Sequence, residues 1–223
     1  MAGYRRIHLL LEGRTEETIV RDVFLPCLVA RGWHVTCSIL TTREVRDGKN
    51  YRGGVSSWSS VRKEIRQLLR DTSISIVSTV IDYYGFPSDA PGMNTRPVSG
   101  PRSRVEHVEK ALYDAIGDKR FLPHLTLRES ESWVFAAAEQ VGELSLDSSM
   151  AKMLEHDVTR AGGPELVNGG VDTAPSKRLK RYWPEFEKTI DGPLAIADLG
   201  LPALREQCPH LDAWLARVEQ AAN

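Results

Sequence analysis

The strongest constraint on the fold is a recurring unit in which a short apolar run stops at a carboxylate and hands over to a helical stretch. Residues 5–11 read RRIHLLL and end abruptly at Glu12-Gly13, the pattern of a buried strand entering a tight turn. Thr15 stands where a helix N-cap is expected, with Glu16 and Glu17 in the first turn, where acids complement the helix dipole. Ile19, Val20, Val23, Phe24, Cys27 and Leu28 continue as a helical stripe that Pro26 should kink. WHVTCSILT alternates as a second strand, and Val61, Ile65, Leu68 and Leu69 mark a second helix after a polar loop. SISIVSTVID, residues 73–82, is a β-branched third strand ending at Asp82. Tyr83 to about Arg102 is Gly- and Pro-rich and reads as a long loop. SRVEHVEKALYDAI fits a third helix. PHLTLRE reads as a fourth strand that delivers Glu129 and Glu131, two apart and therefore on one face if the strand continues.

Strands separated by helices predict an α/β fold with a mainly parallel sheet flanked by helices, Rossmann-like, whose ligands sit beyond the carboxyl ends of the strands. From about residue 140 the pattern turns helical through SLDSSMAKMLEHDV, SKRLKRYWPEFEKTI, ADLGLPALREQ and PHLDAWLARVEQ. We therefore expect an α/β core over 1–140 and a helical extension over 141–223 packed on the same domain.

Charge and motif content exclude several function classes. In 223 residues, Lys+Arg 29 against Asp+Glu 30 gives a net charge of -1, which argues against coating nucleic acid by bulk electrostatics and leaves only a local basic patch. Cys27, Cys37 and Cys208 are scattered without a CxxC, so neither a disulfide framework nor a zinc knuckle is expected, and the compartment reads as reducing. The N-terminal apolar run is too short for a signal-peptide core or a membrane span, which predicts a soluble, cytoplasmic protein with no membrane partner. GxGxxG, GxxxxGK[ST], HExxH and GxSxG are all absent.

The predicted strand exits all carry acids: Glu12, Asp82, and the pair Glu129 and Glu131. Carboxylates held together raise one another's pKa, and hard cations with oxygen ligands relieve that repulsion. Glu16, four residues beyond Glu12 across the turn, can fold back toward it. The pattern predicts a metal-assisted phosphoryl site using Mg²⁺ or Mn²⁺. The plainer readings are that Glu16 and Glu17 only complement a helix dipole and that Asp82 only caps a turn.

The strings LLLEGRTEE, VIDYYGFP, LRESESWVF, DTAPSKRL and LREQCPHLDAWL, in this order, resemble a bacterial family of unknown function, family 4276 of the unknown-function domains, classed as Toprim-like. Toprim domains occur in topoisomerases, primases and overcoming-lysogenisation-defect nucleases, where a Glu after the first strand and an Asp motif after the third hold divalent cations. The resemblance implies that Glu12 is the first-strand Glu, Glu16 the second acid of EGxxE, Asp82 the first Asp of DxD, and Glu129 and Glu131 the acids of an HEFE motif. Tyr84 replaces the second Asp of DxD, and Arg128 and Ser130 stand where members commonly have His and Phe. The resemblance further implies a nuclease acting on DNA or RNA, and an ATPase partner of the AAA or ABC type in a phage-defence pair. Two rivals stay open: a non-catalytic module docking on an ATPase or nucleic acid, favoured by Tyr84 and Arg128, and a primase or nucleotidyl transferase.

TAPSKRLKRYW places Lys177 and Arg178 within the matching motif as the preferred phosphate contacts, with Ser176 available to cap the helix after Pro175. Lys180 and Arg181 read as a solvated face. Arg52, Arg96, Arg102 and Arg104 are candidates for a nucleic-acid path, although loop arginines are commonly solubilising. The five tryptophans read as core or interface, Cys27 as part of an apolar stripe, and His210 as a structural residue opening a helix.

Overall fold

The computed structural model describes residues 5–41, 57–167 and 173–221. Its sheet is parallel throughout. The strands are β1 (Arg5–Leu11), β2 (Trp33–Ile39), β3 (Ile76–Asp82), β4 (Phe121–Leu122) and β5 (Leu125–Thr126). They are ordered β2-β1-β3-β4, with β5 pairing farther along β3. The chain is therefore α/β with a parallel sheet, as its alternation predicts.

Register explains the apolar runs. Leu11 pairs with Ile39 on one side and Val80 on the other, so β1 is central and residues 7–11 are buried. Alternate side chains serve opposite faces. Ile7, Leu9 and Leu11 join Ile76 and Val80 in one core, while Leu10 joins Val77 and Ile81 in the other. The first core is covered by the helices after β1 and by the C-terminal helices. The second is covered by α3 (Trp58–Leu68) and α4 (Pro101–Ile116). The expected boundary at residue 140 falls within α5 (Ala138–Leu144), and the C-terminal helices share one layer of the molecule with the helices after β1.

From β1 the chain moves to one side to make β2, then crosses back to make β3 on β1's other side. This reversal opens a crevice at the carboxyl ends of β1 and β3, the usual ligand position in open parallel sheets. Glu12 and Asp82 leave the sheet there.

Several local expectations need correction. The N-cap of α1 (Arg14–Ile19) is Gly13, and Thr15 is buried inside the first turn. The expected kink takes the form of a π-helical turn over Val20–Phe24, followed by α2 (Leu25–Ala30) with Pro26 in its first turn. Proline has no N–H for the usual bond to residue 22, so the ladder widens just before it. PHLTLRE is not one continuous strand. Between β4 and β5, the Thr79 hydroxyl donates to the His124 carbonyl and accepts from the His124 amide, at 2.9 and 3.0 Å. A 3-10 segment, Ser130–Ala137, then follows, so Glu129 and Glu131 do not share a strand face.

SKRLKRYWPEFEKTI is likewise not one helix: α7 (Pro175–Tyr182) stops at Trp183, which is extended ahead of Pro184. Ser176 does not cap α7; the cap position is Ala174, which offers no side-chain bond. The helical layer is completed by α6 (Ser148–Ala161), α8 (Asp191–Leu199), α9 (Leu201–Gln207) and α10 (Pro209–Gln220). Trp33, Trp58, Trp133 and Trp214 are buried, as expected of core residues.

Candidate functional site

Glu12 and Asp82 meet at the crevice. The backbone N–H of Asp82 donates to Glu12 Oε2 at 2.9 Å, so the two acids are joined although they lie 70 residues apart. One Asp82 oxygen, Oδ1, accepts from the Thr126 hydroxyl and from the Ser130 N–H, both at 2.9 Å. Among the described residues, no donor is placed on Glu12 Oε1 or Asp82 Oδ2. Those oxygens remain available to a ligand.

Glu16 and Glu131 complete the group. Both are buried, and the Ser130 hydroxyl donates a short hydrogen bond to Glu16 Oε1 and lies 3.5 Å from Glu131 Oε2. Lys188, on the segment between α7 and α8, approaches Glu131 Oε1 at 3.4 Å with its side chain 62% exposed. An open cleft of about 540 Å³ lies over the acids, and Arg14 and Lys188 are the cations in its lining.

The electrostatics follow from crowding and lost hydration. Loss of hydration pushes the Glu12 carboxyl up to about 7, against the opposing Asp82 N–H, and the negative charges of Glu16 and Glu131 add to the rise. Part of Asp82's surface meets solvent, yet its carboxyl group sits deep. Desolvation, with Glu16, Glu12 and Glu131 beside it, holds its pKa well above the usual range. Glu131 is raised by desolvation despite Lys188. Lys188 in turn is held protonated by Glu131. Among the described residues, the rim thus carries more carboxylates than cations.

The remaining predicted residues lie elsewhere. Glu129 turns away from the rim, and its Oε2 accepts from the Ser176 N–H at 3.1 Å, capping α7. Arg178 makes a 2.8 Å ion pair with buried Asp157, and its Nε donates to the Thr173 carbonyl at 2.9 Å. Its guanidinium is therefore occupied within the helical layer. Lys177 is exposed on α7 and, among the described residues, is not part of the cleft lining. Arg102 pairs with Glu106, Arg104 donates to the Pro97 carbonyl, and Arg96 bonds the Tyr83 hydroxyl. Arg52 lies outside the described residues. Tyr84 is exposed and Arg128 half-buried.

Sequence reasoning missed Arg14, Thr126, Ser130 and Lys188. Arg14 sits inside the EGRTEE string and was open to detection by its place between two acids. Lys188 carries no local signal, because only the break at Pro184 sends the chain back over the sheet.

The family model described as Domain of unknown function (DUF4276) matches residues 11–219, and the chain belongs to that family. No curated protein and no solved structure matches it. Among the described residues, no helix is long and apolar enough to cross a membrane.

Proposed function

Taking that membership and the four-acid rim as premises, we propose that the protein is a divalent-metal-dependent nuclease of Toprim type that hydrolyses phosphodiester bonds in DNA or RNA. The observation that carries the reading is the convergence of Glu12, Glu16, Asp82 and Glu131 at the strand-order reversal, with Arg14 and Lys188 as the cations of the cleft lining among the described residues. An all-oxygen donor set with excess negative charge suits a hard dication such as Mg²⁺ or Mn²⁺. Glu12 and Asp82, each with one oxygen fixed and one open, would hold it, with Glu16 or Glu131 beside them. When bound, such an ion supplies Lewis-acid polarisation of a phosphoryl oxygen and a more acidic water.

The chain's own residues do the rest. Ser130 fixes Asp82 through its amide and Glu16 through its hydroxyl, so the carboxylates are oriented before substrate arrives. Before an ion binds, Glu12 holds its proton up to about 7, so proton and ion compete for it, and a rim carboxylate left off the ion is the one placed for general acid-base work. Arg14 and Lys188 at the mouth of the cleft replace Lys177 and Arg178 as the groups placed to meet phosphate oxygens. An AAA- or ABC-type ATPase partner remains part of the proposal on the strength of the family resemblance alone.

The test is incubation with supercoiled plasmid, single-stranded DNA and RNA in Mg²⁺, Mn²⁺ or chelator. Metal-dependent cutting that Glu12→Ala abolishes supports the reading. No cutting of any substrate, with or without an ATPase present, overturns it in favour of a binding module.

A further inference from the structure

A second cluster of ionisable side chains lies at the β4–β5 edge of the sheet, where α4 and α10 meet. Glu109 of α4, His124 between β4 and β5, and His210 of α10 are each at most 6% exposed. One ligand atom from each lies within 4.8 Å of the other two. Glu109 Oε1 is 3.1 Å from His210 Nε2 and 3.7 Å from His124 Nδ1. It also accepts from the Leu125 N–H at 2.8 Å, and His210 Nε2 lies 3.2 Å from the Leu125 carbonyl.

An independent observation points to a missing ligand. His124 is 1% exposed, and among the described residues neither of its ring nitrogens has a hydrogen-bond partner. Buried polar groups are almost always satisfied, and an imidazole with two unmet nitrogens calls for an explanation such as an ion. A pocket of about 300 Å³, lined by Glu109, His210, Trp214 and Arg217 among others, connects the cluster to solvent.

We propose that Glu109, His124 and His210 form a second metal site, selective for Zn²⁺ or a similar borderline transition-metal ion, with its open coordination position facing this pocket. Two imidazoles and one carboxylate suit zinc and its neighbours rather than Mg²⁺. A tetrahedral ion with bonds of about 2.0–2.1 Å places its donor atoms about 3.3 Å apart, close to both separations from Glu109. His124 is held unprotonated by burial, the form a ligand needs. Burial opposes the charge on His210, but Glu109 and the charges of Glu165 and Glu106 outweigh it and raise its proton affinity, so protons compete with the ion. The two imidazoles stack with centroids 5.1 Å apart and planes 25° apart, and His124 also stacks on Trp214 at 4.6 Å. Ring lone pairs lie in the ring plane, so one ring must turn to share an ion, which disturbs the Trp214 stack. The site does not depend on the nuclease reading.

The experiment strips the full chain with chelator and titrates it with Co²⁺ and then Zn²⁺, in wild type and in a Glu12→Gln/Asp82→Asn variant that silences the rim. The expected result in the rim-silenced protein is one equivalent of Co²⁺ with visible d–d absorption, a change in tryptophan emission, and displacement by Zn²⁺, with the same absorption band in wild type beside whatever further ion the rim takes up. Zn²⁺ at a hundredfold excess over its Kd should raise the thermal midpoint by roughly 5–10 °C. His124→Phe keeps the aromatic stack but removes both nitrogens, and should weaken binding at least about tenfold. Glu109→Gln, which retains an acceptor for the Leu125 N–H, provides the same test should His124→Phe fail to fold. The proposal is overturned if the rim-silenced protein binds no stoichiometric Co²⁺, or if every folded ligand variant binds it as tightly as wild type.

Discussion

The carboxyl rim of the sheet and its β4–β5 edge both crowd ionisable groups, and they balance charge in opposite ways. At the edge, one carboxylate faces two imidazoles. His210 Nε2 lies beside Glu109 Oε1, which raises the imidazole's proton affinity, and the Leu125 amide donates to the same oxygen. At the rim, four carboxylates face Lys188 and Arg14 among the described residues, both at the exposed mouth, and lost hydration together with the neighbouring charges makes Glu12, Asp82 and Glu131 bind protons more tightly. The edge can balance itself from within the fold. Among the described residues the rim is left with an excess of carboxylates that an external cation would balance, and this contrast separates the proposed hard-ion site from the proposed imidazole site on one sheet.

The largest test of the contrast is removal of rim charge. Asp82→Asn and Glu12→Gln should each lower Mg²⁺-dependent cutting by about a hundredfold or more while circular dichroism stays native. Wild-type rates in Asp82→Asn would break the assignment of the rim as the reacting site.

The next effect is on stability. Glu12 has a raised pKa in the folded state, so its contribution is full below about 4.5 and is lost as pH rises through about 7. In chelator, denaturant unfolding of wild type should therefore lose up to about 3 kcal/mol more between pH 4.5 and pH 8 than Glu12→Gln does. Equal slopes for the two proteins would remove the carboxylate excess from the account.

Arg178→Ala sharpens the comparison from outside the rim. Asp157 would be left buried without its cation, and unfolding should become easier by about 2–4 kcal/mol. Cutting per folded molecule should stay within about twofold of wild type, since Arg178 does not touch the acids. A selective loss of cutting at unchanged stability would return Arg178 to the substrate path.

The smallest expected effect is that of Lys188→Met, which removes the cation beside Glu131. It should cost about tenfold in kcat/KM and steepen the dependence on Mg²⁺ concentration. An unchanged Mg²⁺ dependence would exclude Lys188 from the charge balance.

The sequence made part of this arrangement legible. Strands that stop at a carboxylate give Glu12 and Asp82, because a central parallel strand is an unbroken apolar run and its end is sharp. Glu16 follows from its distance along the first helix. Glu131 was found for a wrong reason: it reaches the rim from a 3-10 turn rather than a strand face, while Glu129 at nearly the same place in sequence caps α7. Lys188 and the histidine cluster depend on tertiary return paths, and Glu109 and His210 lie 101 residues apart. No periodicity records such a meeting. The pairing of Arg178 with Asp157 away from the rim was not legible, because basic residues in a motif look alike until their buried partners are known.

Residues 129–131 have one more consequence. Three consecutive residues hold three different parts of the molecule: Glu129 caps α7, Ser130 clamps Asp82 by its amide and Glu16 by its hydroxyl, and Glu131 meets Lys188. A chain cut after residue 140 would not be a smaller working unit. It would lose Lys188 and the helix that Glu129 caps, and would strip the C-terminal helices from the core that they share with the helices after β1. A shift of α7 or of the segment that carries Lys188 is therefore transmitted to the residues on either side of Ser130, directly beside the acids.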